Sequence, residues 1–318
     1  MKILVTGGAG YIGSHVVLLL CDQGHDIIVL DNLSLGSKEA VDDRAVFIEG
    51  SILNNEDLSK SLPGVEAVIH LAAFKSAGES MLNPQKYSEN NVVGSRNLLR
   101  AMIEENVKNI IFSSTAAVYG LPEYLPLDEK HPLKPINHYG YTKLQTEKTI
   151  DLYSKDKQIK YINLRYFNAA GYDSLGRISS LEKNPANLIP SVMEVAIGKR
   201  DKLFVYGNDF DTDDGTGVRD YVHVSDLARA HISALELISK NQSATVNLGS
   251  EKQYSVMDVI RSTENISGKK IPYEVVERRE GDPDKIYASS DNAKNILNWS
   301  AKESELDNII ETTWRIYK

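Results

Sequence analysis

Tyr139 and Lys143 are the residues whose types and spacing point to acid–base chemistry in this 318-residue chain. Residues four apart share one face of a helix, so the lysine ammonium can lie beside the phenol. A positive charge there lowers the pKa of the phenol and makes a tyrosinate base accessible near neutral pH. The same spacing is common on helices that do no chemistry, so the pair needs support from other residues.

That support comes from three consecutive hydroxyl residues, Ser113-Ser114-Thr115. They stand at the end of an apolar segment, residues 109–113, that is typical of a buried strand. Open parallel sheets bind ligands at the carboxyl ends of their strands. A hydroxyl at that edge can hold a substrate oxygen beside Tyr139. The alternative is that these hydroxyls only cap the end of the strand.

A glycine-rich run near the N-terminus predicts a dinucleotide site. Residues 2–6 indicate a short buried strand and residues 11–23 a helix, with Gly7, Gly10 and Gly13 between or within them. Glycines at these positions allow a tight turn, close approach of the backbone to a pyrophosphate, and packing of the helix on the strand. The positive end of the helix then faces the phosphates. An ordinary glycine-rich turn is the alternative.

Asp31 argues for the dinucleotide interpretation and for NAD over NADP. It closes the second apolar strand, residues 26–30, where a carboxylate accepts hydrogen bonds from ribose hydroxyls. The carboxylate would repel a 2′-phosphate, and the sequence has no arginine between Asp31 and Ser37 to bind one. We therefore expect NAD as the cofactor.

The order of the predicted elements indicates an α/β fold. Further apolar strands at residues 46–49, 67–71, 109–113 and 160–165 alternate with helical patterns, which predicts a doubly wound parallel sheet of the Rossmann type. The regularity weakens past Phe167. We predict a dinucleotide-binding domain over residues 1–168 and a smaller mixed α/β substrate domain over residues 169–318, with some chain crossing back to the first.

Composition and charge exclude several classes of function. The hydrophobic content of 42% is ample for a packed core, and the net charge of −8 gives no basic surface for nucleic acid. The longest apolar stretches are too short to span a membrane, and the N-terminus lacks the pattern of a signal peptide. We therefore expect a cytoplasmic protein without nucleic-acid or membrane partners. Cys21, the single cysteine, can form no internal disulfide, and we expect no metal site.

Taken together, the motifs resemble those of the extended short-chain dehydrogenase/reductases and, among them, the nucleotide-sugar 4-epimerases. The similarity covers nearly the whole chain. Besides the glycine run, the segments that carry it are Leu30-Asp31-Asn32-Leu33-Ser34, His70-Leu71-Ala72-Ala73-Phe74-Lys75, Phe112-Ser113-Ser114-Thr115, Tyr139-Gly140-Tyr141-Thr142-Lys143, Leu164-Arg165-Tyr166-Phe167-Asn168, Arg219-Asp220-Tyr221-Val222-His223 and Arg278-Arg279-Glu280-Gly281-Asp282.

The resemblance implies a reaction, the interconversion of UDP-galactose and UDP-glucose through transient oxidation at sugar C4. Tyr139 would take the proton of the 4-hydroxyl while C4 passes hydride to tightly bound NAD. Thr115 would hydrogen-bond that oxygen, and Lys143 would stabilise the ionised phenol. If the sugar then presents its other face, the returning hydride inverts C4.

The resemblance also implies the residues that bind the cofactor. Tyr11 and Ile12 would contact the pyrophosphate, and Ser51, where an aspartate is usual, the adenine. The full set implied is Gly7, Gly10, Tyr11, Ile12, Gly13, Asp31, Asn32, Ser34, Gly36, Ser37, Ser51, Ile52, Leu71, Ala72, Ala73, Phe74, Lys75, Asn90, Ser113, Tyr139, Lys143, Tyr166 and Phe167.

A second implied set binds the UDP-sugar. Arg219 and Arg279 would hold the diphosphate, which arginine forks suit geometrically, although either could instead make a surface ion pair. The set implied is Lys75, Thr115, Tyr139, Asn168, Asn187, Leu188, Tyr206, Arg219, Arg279, Asp282 and Ile286. Ile286 would limit the hexose pocket, unless the alignment slips by one residue to Tyr287.

Related activities remain as alternatives or are excluded by single residues. The related dehydratases carry an Asp-Glu pair directly after the strand-end threonine, and the related decarboxylases keep the glutamate. Here Ala116 and Ala117 stand in those places. A 4-epimerase for UDP-N-acetylhexosamines or UDP-glucuronate is the main alternative. A cofactor-sensing regulator and a dehydrogenase that releases NADH are the others. The family also implies a homodimer that pairs helices at residues 84–106 and 139–154.

Overall fold

The computed structural model describes residues 1–182, 185, 187–279 and 281–318. Glu280, within the predicted substrate-binding motif at residues 278–282, lies outside these ranges. The strands are β1 (Lys2–Thr6), β2 (Asp26–Asp31), β3 (Val46–Glu49), β4 (Ala67–His70), β5 (Asn109–Thr115), β6 (Lys160–Tyr166), β7 (Asn168–Ala170), β8 (Leu203–Tyr206), β9 (Val218–Arg219), β10 (Tyr221–His223), β11 (Ala244–Leu248), β12 (Tyr254–Ser255), β13 (Tyr273–Val276) and β14 (Lys285–Ile286).

The α-helices follow the same chain order. They are α1 (Tyr11–Asp22), α2 (Asn55–Ser61), α3 (Ala77–Leu82), α4 (Pro84–Tyr87), α5 (Gly94–Glu104), α6 (His138–Lys157), α7 (Leu188–Ala196), α8 (Val224–Ser239), α9 (Val256–Ser267), α10 (Asp291–Leu297) and α11 (Leu306–Tyr317). A π-helical segment, Ser88–Val93, joins α4 to α5. Short 3-10 turns lie at Lys38–Ala40 and Ala116–Val118.

Within the described residues, seven parallel strands form the central sheet in the order β11-β6-β5-β4-β1-β2-β3. The doubly wound α/β prediction is confirmed, and the predicted strands agree with the observed ones to within two residues. The chain order of the strands reverses between β1 and β4, which places a crevice for ligands at their carboxyl ends.

Both faces of the sheet are covered by helices, as a parallel sheet requires. Helices α1 and α8 pack against each other on one face, where a cluster that includes Val16, Leu164 and Val246 is fully buried. Helices α2, α5 and α6 lie on the other face over a cluster that includes Ile110 and Leu98. At the carboxyl end of β5, the hydroxyl side chains of Ser113, Ser114 and Thr115 follow its buried apolar residues.

Smaller sheets lie in the C-terminal half. Strand β7 pairs with β10, β8 with β13, and β9 with both β12 and β14. Helices α7, α9 and α11 pack together over a separate apolar cluster. Strand β11 and helix α8 come from the C-terminal half of the chain, yet they belong to the central sheet and its covering layer. The division into domains at residue 168 stays a prediction.

Candidate active site

The crevice at the carboxyl ends of the central strands forms a cavity that gathers most of the predicted cofactor residues. It is lined by Gly7, Gly10, Tyr11, Ile12, Gly13, Leu30, Asp31, Asn32, Ser34, Leu35, Gly36, Gly50, Ser51, Ile52, Leu71, Ala72, Ala73, Phe74, Lys75, Asn90, Ser113, Tyr139, Lys143, Tyr166 and Glu182. The cavity therefore extends from the first turn of the chain, across the sheet edge, to the predicted catalytic tyrosine.

Glycines make the floor of the cavity possible. Gly7 has φ of +75°, and a Cβ there would lie 2.6 Å from the backbone nitrogen of Ala72. A Cβ on Gly13 would lie 2.1 Å from the carbonyl oxygen of Gly7. Side chains at these positions would force the turn open and remove the surface that a pyrophosphate needs. The turn therefore fits the dinucleotide interpretation better than an ordinary loop would.

Asp31 organises the neighbouring loop and keeps its charge at the cavity wall. Its carboxylate accepts hydrogen bonds from the backbone N–H of Ala9 at 3.0 Å and of Leu33 at 2.8 Å. A carboxylate oxygen can accept more than one hydrogen bond, and ribose hydroxyls are donors of the kind it accepts. The glycine floor and this acceptor together fit NAD, and the negative charge disfavours a 2′-phosphate.

Ser51 lies at the far end of the cavity, held by its own loop. Its backbone N–H donates to Asp57 at 2.9 Å, and its hydroxyl accepts from the N–H of Leu53 at 3.2 Å. The hydroxyl is thus partly engaged in the turn. Its predicted contact with adenine stays a prediction.

Asn91 fixes the loop that carries Phe74 and Lys75. Its side-chain oxygen accepts from the N–H of Phe74 at 2.9 Å, and its nitrogen donates to the carbonyl of Phe74 at 3.0 Å and to Thr142 Oγ1 at 3.1 Å. Asn90, beside it in the chain, faces the cavity and donates to Asn91 at 3.0 Å. The sequence reasoning named Asn90 and missed Asn91, which ties the loop to helix α6.

The phenol of Tyr139 lies beside Thr115, whose hydroxyl acts to lower the pKa of the phenol. Its backbone N–H donates to Ser80 Oγ at 2.9 Å, and Asn137 caps the start of α6 through the N–H of Gly140 at 2.8 Å. The start of α6 is thereby held against the end of β5. The structure brings Tyr139 and Thr115 together as the predicted chemistry requires.

The charges around Tyr139 differ from the sequence-based expectation. Burial raises the pKa of Tyr139 to about 12, and only the Thr115 hydrogen bond works in the other direction. Lys143 is 3% exposed and donates to the carbonyl of Ser113 at 2.7 Å. Burial lowers the pKa of this lysine to about 7. Lys143 is not among the causes that shift the pKa of Tyr139, so the expectation that its charge lowers this pKa stays a prediction.

The cavity has a wall residue that sequence reasoning missed. Glu182 forms an ion pair with Lys75, and the Lys75 ammonium lies 5.9 Å from the centre of the Tyr11 ring. Glu182 follows Lys75 by more than a hundred residues, so no local pattern could have indicated the pair. Gly50, Leu30 and Leu35 also line the cavity without having been predicted.

The predicted UDP-sugar residues of the C-terminal half form two contacting groups. Arg219 makes an ion pair with Asp282, and Ile286 on β14 pairs in register with Arg219 on β9. The Arg279 guanidinium lies 3.8 Å from the centre of the Tyr206 ring. The N–H of Asp282 donates to the carbonyl of Arg279 at 3.2 Å, which joins the two groups.

The remaining predicted residues lie at element ends or outside the cavity. Asn168 begins β7 and donates to the carbonyl of Asp220 at 2.9 Å, while exposed Asn187 precedes α7, whose first residue is Leu188. Phe167 is buried in a cluster with Leu144 and others, away from the cavity lining. Ser37 donates its N–H to the carbonyl of Ala9 and also lies outside the lining. Their binding roles stay predictions.

Comparisons with known proteins agree with this geometry. A model of the "NAD dependent epimerase/dehydratase family" matches residues 3–249. A UDP-glucose 4-epimerase from Halalkalibacterium halodurans is 45% identical, covering 100% of this chain and 96% of the relative. The crystal structure of UDP-glucose 4-epimerase from Brucella ovis in complex with NAD superposes with a TM-score of 0.97 at 41% identity, covering 99% of this chain and 98% of that one.

A second solved structure carries the other expected ligand. The UDP-glucose 4-epimerase from Bifidobacterium longum, in complex with NAD+ and UDP, superposes with a TM-score of 0.94 at 36% identity. The match covers 99% of this chain and 98% of that chain. Similarity at this level extends over both the central sheet and the C-terminal half.

Proposed function

The chain belongs to the NAD dependent epimerase/dehydratase family, and we propose that it is an NAD-dependent isomerase that interconverts UDP-galactose and UDP-glucose by transient oxidation at sugar C4. The observation that carries this proposal is the placement of Tyr139 beside Thr115 at the rim of the dinucleotide cavity. It puts a base and an oxygen-binding hydroxyl beside the site for a hydride acceptor. The relatives support the reaction by name, since they are UDP-glucose 4-epimerases.

NAD, when bound, supplies the hydride acceptor and a positive charge near the phenol. The residues that fit it are the glycine floor at residues 7–13, Asp31 at the ribose, and the Asn91-held loop that carries Phe74. The cofactor has to remain bound between the two halves of the reaction, because the hydride must return to the same sugar.

Tyr139 is the proposed base for the proton of the sugar 4-hydroxyl. The hydroxyl of Thr115 is placed to hold that oxygen, because it lies beside the phenol. Lys143 lies one helical turn away on α6, and its ammonium favours the ionised phenol. Because burial opposes both charges, ionisation of the phenol depends on further positive charge near it.

Arg219 and Arg279 are the proposed ligands of the substrate diphosphate. Without substrate, Arg219 is paired with Asp282 and Arg279 is stacked on Tyr206. Both guanidinium groups are thereby oriented in advance, which lowers the entropy that binding must overcome. A firm grip on UDP with few contacts to the hexose would let the sugar turn between hydride transfers.

The plain hexoses are favoured over the acetylated and acidic sugars. The relatives reported above carry the name UDP-glucose 4-epimerase. Ile286 adds a branched side chain beside Arg219, where it would take up part of the space that an N-acetyl group needs. We therefore expect the side chain at position 286 to determine which sugars the pocket admits.

The proposed function is tested with the purified protein and no added cofactor. We expect UDP-galactose to be converted to UDP-glucose, with UDP-N-acetylglucosamine and UDP-glucuronate turned over more slowly or not at all. No turnover of UDP-galactose even with NAD supplied would refute the proposal. Turnover of the acetylated or acidic sugar alone would establish the alternative substrates, and steady release of NADH would mark a dehydrogenase.

We also propose a homodimer formed by helices at residues 84–106 and 139–154. Support comes from large apolar side chains exposed there, Val93 at 45%, Tyr141 at 47% and Leu152 at 63%. Light scattering coupled to gel filtration should give twice the chain mass, and Leu152→Glu should shift the protein towards the monomer. A monomeric wild type would refute this.

The cytoplasmic location expected from the sequence is likewise a proposal. In the described part of the chain, no helix combines the length and apolar character of a membrane span. Fractionation of cells of the source organism, with detection by antibody, would test the location directly. Recovery of the protein outside the cytoplasm would contradict it.

A further inference from the structure

Glu147 lies one turn beyond Lys143 on α6, and its carboxylate contacts two strands of the central sheet. It accepts hydrogen bonds from Arg165 Nε at 2.9 Å and Nη2 at 2.6 Å, and from Ser114 Oγ at 2.5 Å. Ser114 on β5 and Arg165 on β6 are register partners. The carboxylate therefore fastens α6 to both strands directly behind the residues that carry the proposed chemistry.

The end of β5 serves both sides of this arrangement. Successive side chains of a strand point to opposite faces, so Ser114 is directed to Glu147 while Thr115 reaches Tyr139 at the strand end. The carbonyl of Ser113, the residue before Ser114, accepts from Lys143 Nζ at 2.7 Å. A small shift of α6 along β5 would change the Lys143 contact and the approach of Tyr139 to Thr115 together.

Stability alone does not require charges at this place. The side chains of Arg165 and Glu147 are only 6% and 7% exposed. Replacing such a buried pair by apolar residues of similar volume is often neutral or stabilising. The pair is nevertheless part of a longer hydrogen-bonded network. Arg165 Nη1 also donates to the Tyr119 hydroxyl at 3.1 Å, and that hydroxyl donates to Asn247 Oδ1 at 2.6 Å.

The charge of Glu147 acts on Lys143. It raises the pKa of Lys143 against the larger effect of burial, which brings that pKa down to about 7. Other titratable groups near the reaction centre are uncharged at neutral pH. Burial lowers the pKa of His70 on β4 to about 3, and it raises the pKa values of Tyr139 on α6 and Tyr166 on β6. Arg165, also on β6, carries a charge, and it pairs with the Glu147 carboxylate.

We propose that Glu147 is a positioning residue for the reaction, held by Arg165 and Ser114 so that it fixes α6 against β5 and keeps Lys143 in its charged form. This inference rests on the proposed function only for the consequence that activity depends on charged Lys143. The contacts themselves hold whatever the substrate is. Glu147 is not among the residues that line the cavity, and it acts through Lys143.

The decisive variant removes both charges of the pair, so that neither is left without its ionic partner. In Glu147→Gln/Arg165→Met both charges are absent, and Glu147→Gln is its single-site companion. Because Lys143 loses an attractive charge, we expect the alkaline limb of the kcat profile to move to lower pH by about one unit. At a pH on that limb, this shift corresponds to a roughly tenfold lower kcat. The KM for UDP-galactose should stay unchanged, because Glu147 does not contact the substrate.

A second readout does not depend on turnover. NMR titration of the lysine side chains, with Lys143 assigned through Lys143→Met, should show that the Lys143 pKa is lower in the double variant than in the wild type. An inactive wild type would refute the proposed function and leave this titration to decide the role of Glu147. A folded double variant with unchanged titration and pH profile would overturn the inference. Failure of both variants to fold would assign the pair to stability alone and would also overturn it.

Discussion

Replacement of Gly13 by alanine tests the glycine floor on which the cofactor assignment depends. The new Cβ would lie 2.1 Å from the carbonyl oxygen of Gly7, about 0.9 Å inside the 3.0 Å below which such contacts essentially do not occur. The neighbour is backbone and cannot rotate away, so the turn before α1 has to open. Forced overpacking of this kind costs about 1–3 kcal/mol, which lowers Tm by about 2–10 °C.

The same displacement should act more strongly on cofactor binding. Backbone N–H groups of the turn would move off the pyrophosphate, and losing one hydrogen bond to a charged group costs about 1.5–3 kcal/mol, or about 10–100-fold in affinity. The assay releases bound cofactor by acid and counts NAD per chain by chromatography. We expect a nearly full complement in the wild type and a large loss in Gly13→Ala.

Gly78→Ala is the matched control. Gly78 lies within α3, and a Cβ there would have nothing within 4 Å. Alanine in a helix interior is favoured over glycine by about 0.5–1 kcal/mol, so Tm should stay equal or rise and NAD content should not change. If Gly13→Ala retained NAD as well as the control does, the turn would not be the pyrophosphate site and the reasoning would be refuted.

Three further substitutions probe the cavity wall and the sugar pocket. Asp31→Asn removes the charge that repels a 2′-phosphate, so the ratio of NADP to NAD affinity should rise in a calorimetric titration; an unchanged ratio would contradict the assignment. Glu182→Gln removes the ion-pair partner of Lys75, whose side chain is 46% exposed, so the free energy of unfolding should change by less than about 1 kcal/mol. The KM for UDP-galactose should fall, because Glu182 no longer competes with the substrate for Lys75. A higher KM would argue against this competition. Ile286→Ala should raise kcat/KM for UDP-N-acetylglucosamine relative to UDP-glucose, and no change would place the size limit elsewhere.

The fold could be predicted from the sequence where local patterns decide it. Apolar runs of four to seven residues between helical periods gave β1 to β6 within two residues, because strands buried on both faces are apolar throughout. Strand β11 was missed. Its partner in the sheet is β6, and Ala244 pairs with Ile162. The chain between these two residues shows no regular alternation of strands and helices that could have indicated the pairing.

The residues of the candidate site also differ in whether a local sequence pattern could indicate them. The glycine floor, Asp31 and the Tyr139–Lys143 spacing are local motifs, and the structure puts all of them on one cavity. Asn91 and Glu182 depend on contacts between distant segments and could not be found by pattern. The raised pKa of Tyr139 also could not, because the burial that raises it is a property of the folded chain.

The central claim is that hydride leaves sugar C4 and returns to the same carbon within one active site. The most direct measurement is conversion of UDP-galactose carrying deuterium at C4, with unlabelled NADH and NAD in the solution and Tyr139→Phe as the control. The account predicts UDP-glucose with deuterium retained at C4, unlabelled free NADH, and loss of turnover in the phenylalanine variant. Washout of deuterium, or its appearance in free NADH, would contradict the account.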